Sequence, residues 1–218
     1  MKIKQIYLDY KIPPNLQTHM LRVTSLTNIL INAWTGDEID RKTLIKACLF
    51  HDMGNLLKFD LVNQVHFLGD EAKNLAYWKR VKAKMLEKYG SDEHQATIEI
   101  CQEIGLDEKA LFIVKNKEFS NFDNISLSHN WELKLAAYAD HRIGPLGILS
   151  LRKRFAEQAK RYKLSRPKSA HLSEKREILA NAAFRVEKQL MKYISRNVHK
   201  ITNAEIAASL YNFLDYSV

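Results

Sequence analysis

Chain breakers are scarce in this sequence, and that scarcity limits its fold more than any other feature. Its 218 residues include 7 glycines and 4 prolines, whereas a chain of many short strands needs a turn signal roughly every 8–12 residues. Between the breakers the apolar residues keep helical time. Leu16, Met20, Val23, Leu26, Ile29, Leu30 and Ala33 form one stripe, and Leu75, Trp78, Val81, Met85 and Leu86 form another, each near the 3.6-residue period. No run alternates with the two-residue period of a strand, so the spacing predicts an all-α chain.

The expected helices follow from caps and stops. One begins after Pro13-Pro14 with Asn15 as its cap, and Asp40 caps a second over 41–50. A charged helix over 71–89 stops at Gly90, and Ser91 caps the next, which runs to Gly105. Further helices are expected over 107–116, 130–142, 149–163, 173–195 and 202–215, the last opened by the capping box Thr202-Asn203-Ala204-Glu205. Residues 1–14 read as a loose lead-in, 54–68 as a connector with short helical pieces, and 117–128 as a polar connector.

Charge divides the chain more sharply than its net of +9 suggests. Residues 151–218 carry 15 Lys/Arg and 6 Asp/Glu; the totals of 34 and 25 then leave 19 of each sign in residues 1–150. The expected organisation is a neutral core over 1–150 and a basic helical extension over 151–218 packed on it. Such asymmetry permits polyanion binding without requiring it. Lys160, Arg161, Lys163, Arg166 and Lys168 cluster around Pro167 with Tyr162 as the interleaved aromatic. A solvated helical face is favoured there over a nucleic-acid surface, because no binding motif accompanies the charge. Alternatively, some of these cations line the mouth of a site and draw in an anion.

No apolar stretch approaches the roughly 18 residues of a membrane span, and Met1-Lys2-Ile3-Lys4-Gln5 lacks the apolar core of a signal peptide. Cys48 and Cys101 lie in apolar contexts without CxxC spacing, as buried free thiols do in a reducing compartment. A cytoplasmic protein that makes no membrane contact is expected. Nothing in the sequence sets its oligomeric state.

The chemistry concentrates in Leu49-Phe50-His51-Asp52-Met53-Gly54. An imidazole nitrogen beside a carboxylate is a mixed donor pair suited to a divalent cation. Helix neighbours point about 100° apart, so both reach one ion only near a helix end. Gly54 is read as supplying that end. His19, His94 and Asp140 add donors near other helix ends or on helix faces.

His19-Met20-Leu21-Arg22-Val23, Leu49-Phe50-His51-Asp52-Met53-Gly54 and Ala136-Ala137-Tyr138-Ala139-Asp140-His141-Arg142-Ile143 resemble the successive motifs of the HD superfamily of metal-dependent phosphohydrolases. The intervals from His19 to His51 and from Asp52 to Asp140 are 32 and 88 residues. The resemblance implies an HD-domain helical bundle with additional basic C-terminal helices. It implies that His19, His51, Asp52 and Asp140 hold the metal, with Asp52 the candidate to bridge two ions if two are present. The family's frequent lysine after the doublet is replaced here by Asn55, and Lys58 follows three residues later. Lys58 could meet the substrate phosphate in its place.

His94 stands where many relatives place a further histidine, which joins a second metal or contacts phosphate. Arg22, one turn from His19, could meet a phosphate or simply cross-link helices, and Arg142 could hold a ligand carboxylate in place. The implied activity is hydrolysis of phosphate esters of a nucleotide or other small phosphorylated metabolite, monoesters before diesters. The catalytic candidates are Asp52, His94, Arg22 and Lys58. A divalent ion (Mn, Mg, Fe, Co, Ni or Zn) would acidify the attacking water toward a pKa of about 7. The alternative is a non-catalytic HD-fold protein that binds nucleic acid or a nucleotide through its basic C-terminal portion.

Overall fold

In the computed structural model, residues 1–63, 65–165 and 171–217 are described, with backbone alone at 66, 67, 161–165 and 171–173. Helix α2 (Pro14–Asn32) is the axis of the fold. Leu16, Met20, Val23, Leu26 and Leu30 are buried, as are Thr24, Ser25 and Thr27. A helix covered on so many sides must satisfy its own hydroxyls. Thr24 Oγ1 donates to Met20 O at 2.8 Å, and Ser25 Oγ donates to Ile206 O at 2.7 Å. The helix starts at Pro14, with its fixed φ at the first turn, rather than with Asn15 as cap.

Around α2 pack α3 (Arg41–Phe50), α8 (Trp131–Arg142) and α11 (Asn203–Leu210); α6 (Glu108–Asn116) lies on α3. Helix α4 (Leu75–Tyr89) is preceded by a 3-10 segment, Val65–Asn74, kinked at Gly69 where φ is 58°. Helix α5 (Glu93–Glu103) is capped by Asp92, which accepts from the backbone of His94 and Gln95 at 2.9 and 2.8 Å, and not by Ser91. The only strands among the described residues are β1 (Ile143–Gly144) and β2 (Gly147–Ile148), a two-stranded antiparallel hairpin. The chain is all-α. Among the described residues no helix is long and apolar enough to cross a membrane.

Two segments read as loops are helical. Helix α1 (Ile3–Asp9) buries Ile3, Ile6 and Tyr7, although no side chain caps it. Seven residues cannot sustain a helix alone; the Tyr7 hydroxyl donating to Leu49 O at 2.6 Å and Ile3 N donating to Tyr216 O at 3.1 Å hold it. The polar connector 117–128 contains α7 (Phe122–Leu127), whose Phe122 and Ile125 are buried under α10 (His171–Leu190). Helix α9 (Leu151–Ser165) lies on α8 and α10. Ala182, Ala183, Val186 and Leu190 of α10 belong to the same apolar core as α2 and α3. Cys48 and Cys101 are free and buried, and burial pushes each thiol up to about 12.

Candidate metal centre

Helix α3 ends at Phe50, with His51 as its C-cap. There the ring turns inward, and Nδ1 lies 2.7 Å from Cys48 O. A carbonyl only accepts, so Nδ1 carries the proton and Nε2 keeps its lone pair. Helix α2 brings His19 Nε2 to 3.3 Å from that nitrogen, and α8 brings Asp140 Oδ1 to 3.1 Å from His19 and 3.4 Å from His51. One donor atom from each of His19, His51 and Asp140 lies within 4.8 Å of the others. Asp52 closes the group, with Oδ2 3.4 Å from His19 Nε2 and Oδ1 3.6 Å from His51 Nε2.

Gly54 acts differently from the helix stop expected of it. Its φ of −86° and ψ of −7° are ordinary for any residue. What requires glycine is proximity: a Cβ at 54 would lie 2.4 Å from Glu93 O and 2.8 Å from Thr97 N. The loop after the doublet is thus pressed onto α5, where Gly54 N donates to Thr97 Oγ1 at 2.9 Å.

The residue that pattern reading missed is Lys117. It follows α6 as that helix's C-cap and is 3% exposed. Its Nζ lies 2.9 Å from Asp140 Oδ2, 3.3 Å from Glu118 Oε1 and 3.5 Å from Asp52 Oδ1. A single lysine opening a polar stretch carries no periodic signal; only its chain position after a short apolar helix hinted at a buried cap.

The electrostatics all ask for positive charge. Burial favours neutral Asp140, yet Lys117 and His51 outweigh it and hold the carboxyl well below its usual range. Asp52 is likewise lowered against burial, by His51 and Lys117. For Lys117, burial opposes the charge, but Asp140, Glu118 and Asp52 raise the ammonium well above its usual value. Burial also opposes a charged His51, but Asp52 and Asp140 prevail and raise its pKa. With neutral imidazoles, three carboxylates (Asp52, Asp140 and Glu118) against one ammonium leave two negative charges. A divalent cation matches that deficit, and the nitrogen and oxygen donors suit one.

These groups line a cavity of about 170 Å³, together with Lys58 and His94. Lys58 Nζ pairs with Glu93 Oε1 at 2.8 Å. His94 Nε2 donates to Lys115 O at 3.2 Å, and Nδ1 faces Glu118 Oε1 at 3.5 Å. Both ring nitrogens are thus engaged away from the cluster, and the bond to Glu118 outweighs partial burial and raises the pKa of His94. Arg22 is not among the cavity residues; its Nη1 donates to Pro145 O at 3.2 Å. Arg142, expected to brace a ligand carboxylate, is instead buried with its guanidinium on Tyr138 Oη, Leu149 O and Val198 O. His141 is buried, its Nδ1 donating to Ala137 O at 2.9 Å. In the basic cluster Lys160 is exposed; the side chains of Arg161 and Lys163, and all of Arg166 and Lys168, lie outside the described residues.

Comparison with known families matches residues 16–105 to the HD domain. Neither the curated proteins nor the solved structures yield a match. The matched segment holds His19, His51, Asp52 and His94, whereas Lys117 and Asp140 come from the helices that follow it. HD domains typically bind a divalent metal, which the donor set and charge deficit described above accommodate. Residues 16–105 of this chain are thus similar to the HD domain, and they supply His19, His51 and Asp52 of the cluster.

Proposed function

We propose that the chain is a metal-dependent phosphohydrolase acting on small phosphate monoesters, with nucleotides the first substrates to try. The observation that carries this reading is the convergence of His19, His51 and Asp140 on one point, with Asp52 beside both histidines and more carboxylate than ammonium charge around them. The ion's chemistry when bound is Lewis acidity, which acidifies a water and offsets phosphoryl charge. The chain's residues set up that chemistry. The bond from His51 to Cys48 O fixes the tautomer and aim of the ring. Lys117 occupies Asp140 Oδ2 and sits by Asp52 Oδ1, leaving Asp140 Oδ1 and Asp52 Oδ2 turned toward the histidines. It also keeps both carboxyls ionised.

The cavity's size supports monoesters. About 170 Å³ is below the roughly 300 Å³ at which pockets enclose a drug-sized ligand. It accommodates a phosphoryl group with a few waters, while the rest of the substrate stays at the mouth. A terminal phosphate reaches the ion that way more readily than a diester with groups on both sides. His94, whose ring nitrogens face Lys115 O and Glu118, supports a single ion.

A screen of phosphatase and nucleotidase substrates with Mn, Mg, Co, Ni and Zn tests this. Metal-stimulated turnover is expected, falling at least about 100-fold in Asp52→Ala, since even outer-shell losses cost 10- to 100-fold. Silence with every metal, together with nucleic-acid binding that weakens steeply with salt, would sink the proposal in favour of a binding protein.

A further inference from the structure

Part of the cavity wall comes from α9, outside the segment that matches the HD domain. Arg154 and Gln158, four residues apart and so on one face of that helix, both line the cavity. The arginine is 12% exposed, and its Nη1 pairs with Glu157 one turn away. Its Nε is buried and, among the described residues, has no hydrogen-bond partner. A desolvated guanidinium N–H without an acceptor is rare in a folded protein.

The acids on the cavity wall do not explain it. Glu93 is met by Lys58 at 2.8 Å, and Glu118 by Lys117 at 3.3 Å and His94 at 3.5 Å. Nor is Arg154 held there loosely. The next residue, Phe155, is wedged between Phe119, His141 and Phe184, with ring centroids at 5.2, 6.3 and 5.9 Å. That packing fixes the helix turn from which Arg154 and Gln158 reach the cavity. The position is built, and a donor is left over.

We propose that Arg154, assisted by the Gln158 amide, binds non-bridging oxygens of the substrate phosphate in the cavity that the metal ligands line. A planar guanidinium fork suits a phosphate better than a lysine ammonium does. Helix α9 thereby adds phosphate recognition from outside the matched segment. The inference rests on the phosphohydrolase reading for its substrate, but its probe does not need turnover.

Inorganic phosphate is titrated calorimetrically into the full chain loaded with Mn, with metal content and far-UV circular dichroism measured alongside. Arg154→Gln is expected to weaken phosphate binding roughly 10- to 100-fold, the range for a hydrogen bond to a charged group, with metal content unchanged. Arg154→Lys keeps the charge, guards against a folding defect, and is expected to lose part of that affinity. Wild-type phosphate affinity in a folded Arg154→Gln, or in Arg154→Lys if the first does not fold, overturns the proposal. Phosphate binding that depends on Arg154 in a chain that turns over no ester supports the inference while removing the enzymatic reading. Normal turnover with KM and phosphate affinity indifferent to residue 154 does the reverse.

Discussion

Two cavities in this fold make opposite use of charge. The larger, about 630 Å³, lies against α1, α4 and α5 and is lined by Tyr10, Lys88, Tyr89 and Glu103. Asp9, Lys11 and Lys84 also line it, and at its centre of hydrogen bonding Glu103 accepts from Lys88 at 2.9 Å, Tyr89 at 2.9 Å and Tyr10 at 3.1 Å. Burial nudges Glu103 up, but those donors hold it below its usual range, and burial and Glu103 push Tyr10 up to about 12. The network is complete and largely exposed. The smaller cavity, about 170 Å³, gathers the nearly buried Asp52, Asp140 and Lys117 with a more exposed Glu118, and their charges do not cancel. Volume marks where helices fail to meet; an uncancelled buried charge marks where something must bind.

The sharpest way to break this contrast is to remove a ligand from the smaller cavity. His51→Ala and Asp140→Ala are expected to lose the bound ion by elemental analysis and to abolish turnover, with the far-UV spectrum still helical. Full metal occupancy in both variants would show that the ion, if any, sits elsewhere.

Lys117→Met should come next in size. It strips a buried ammonium from the carboxylates of Asp52, Asp140 and Glu118, so the metal-free chain should lose about 3–5 kcal/mol, as buried pairs do when one partner is removed. Urea unfolding in a chelator measures this, and saturating Mn should recover part of the loss by binding the native state. Equal stability of variant and wild type in the chelator would mean that the charge deficit is not felt. The smallest effect belongs to the larger cavity. Glu103→Gln disturbs a solvent-screened network and should change stability by less than about 1 kcal/mol, leaving metal content and turnover alone. A change in kcat/KM there would erase the distinction.

The sequence reveals some of this and hides the rest for physical reasons. His19, the His51-Asp52 doublet and Asp140 stand out because each sits in an apolar helical stretch, where a polar donor is conspicuous. The long stripe of α2 is legible for the same reason. Lys117 and Arg154 lie in segments already rich in charge, and only tertiary packing separates a buried cation from a solvated one. Helices α1 and α7 span seven and six residues, too few for a period to declare itself, and they depend on distant partners such as Leu49 O and α10. Asp92 and Ser91 are adjacent residues of similar capping aptitude; only the observed hydrogen bonds select Asp92.

At Gly54 the doublet's loop closes on the α5 main chain at Glu93 O and Thr97 N, with only the small Ala96 methyl and the Thr97 hydroxyl beside the contact. Side chains can change rotamer and absorb a small misfit; peptide planes pressed together cannot. The tolerance on where His51 and Asp52 sit is therefore set by the stiffness of two backbones. A displacement of α5 reaches the ligands undamped, although that helix donates none of the atoms on which the ion would rest. Residue 54 is the gauge of the site, and any larger side chain there would alter the spacing of donors that it never touches.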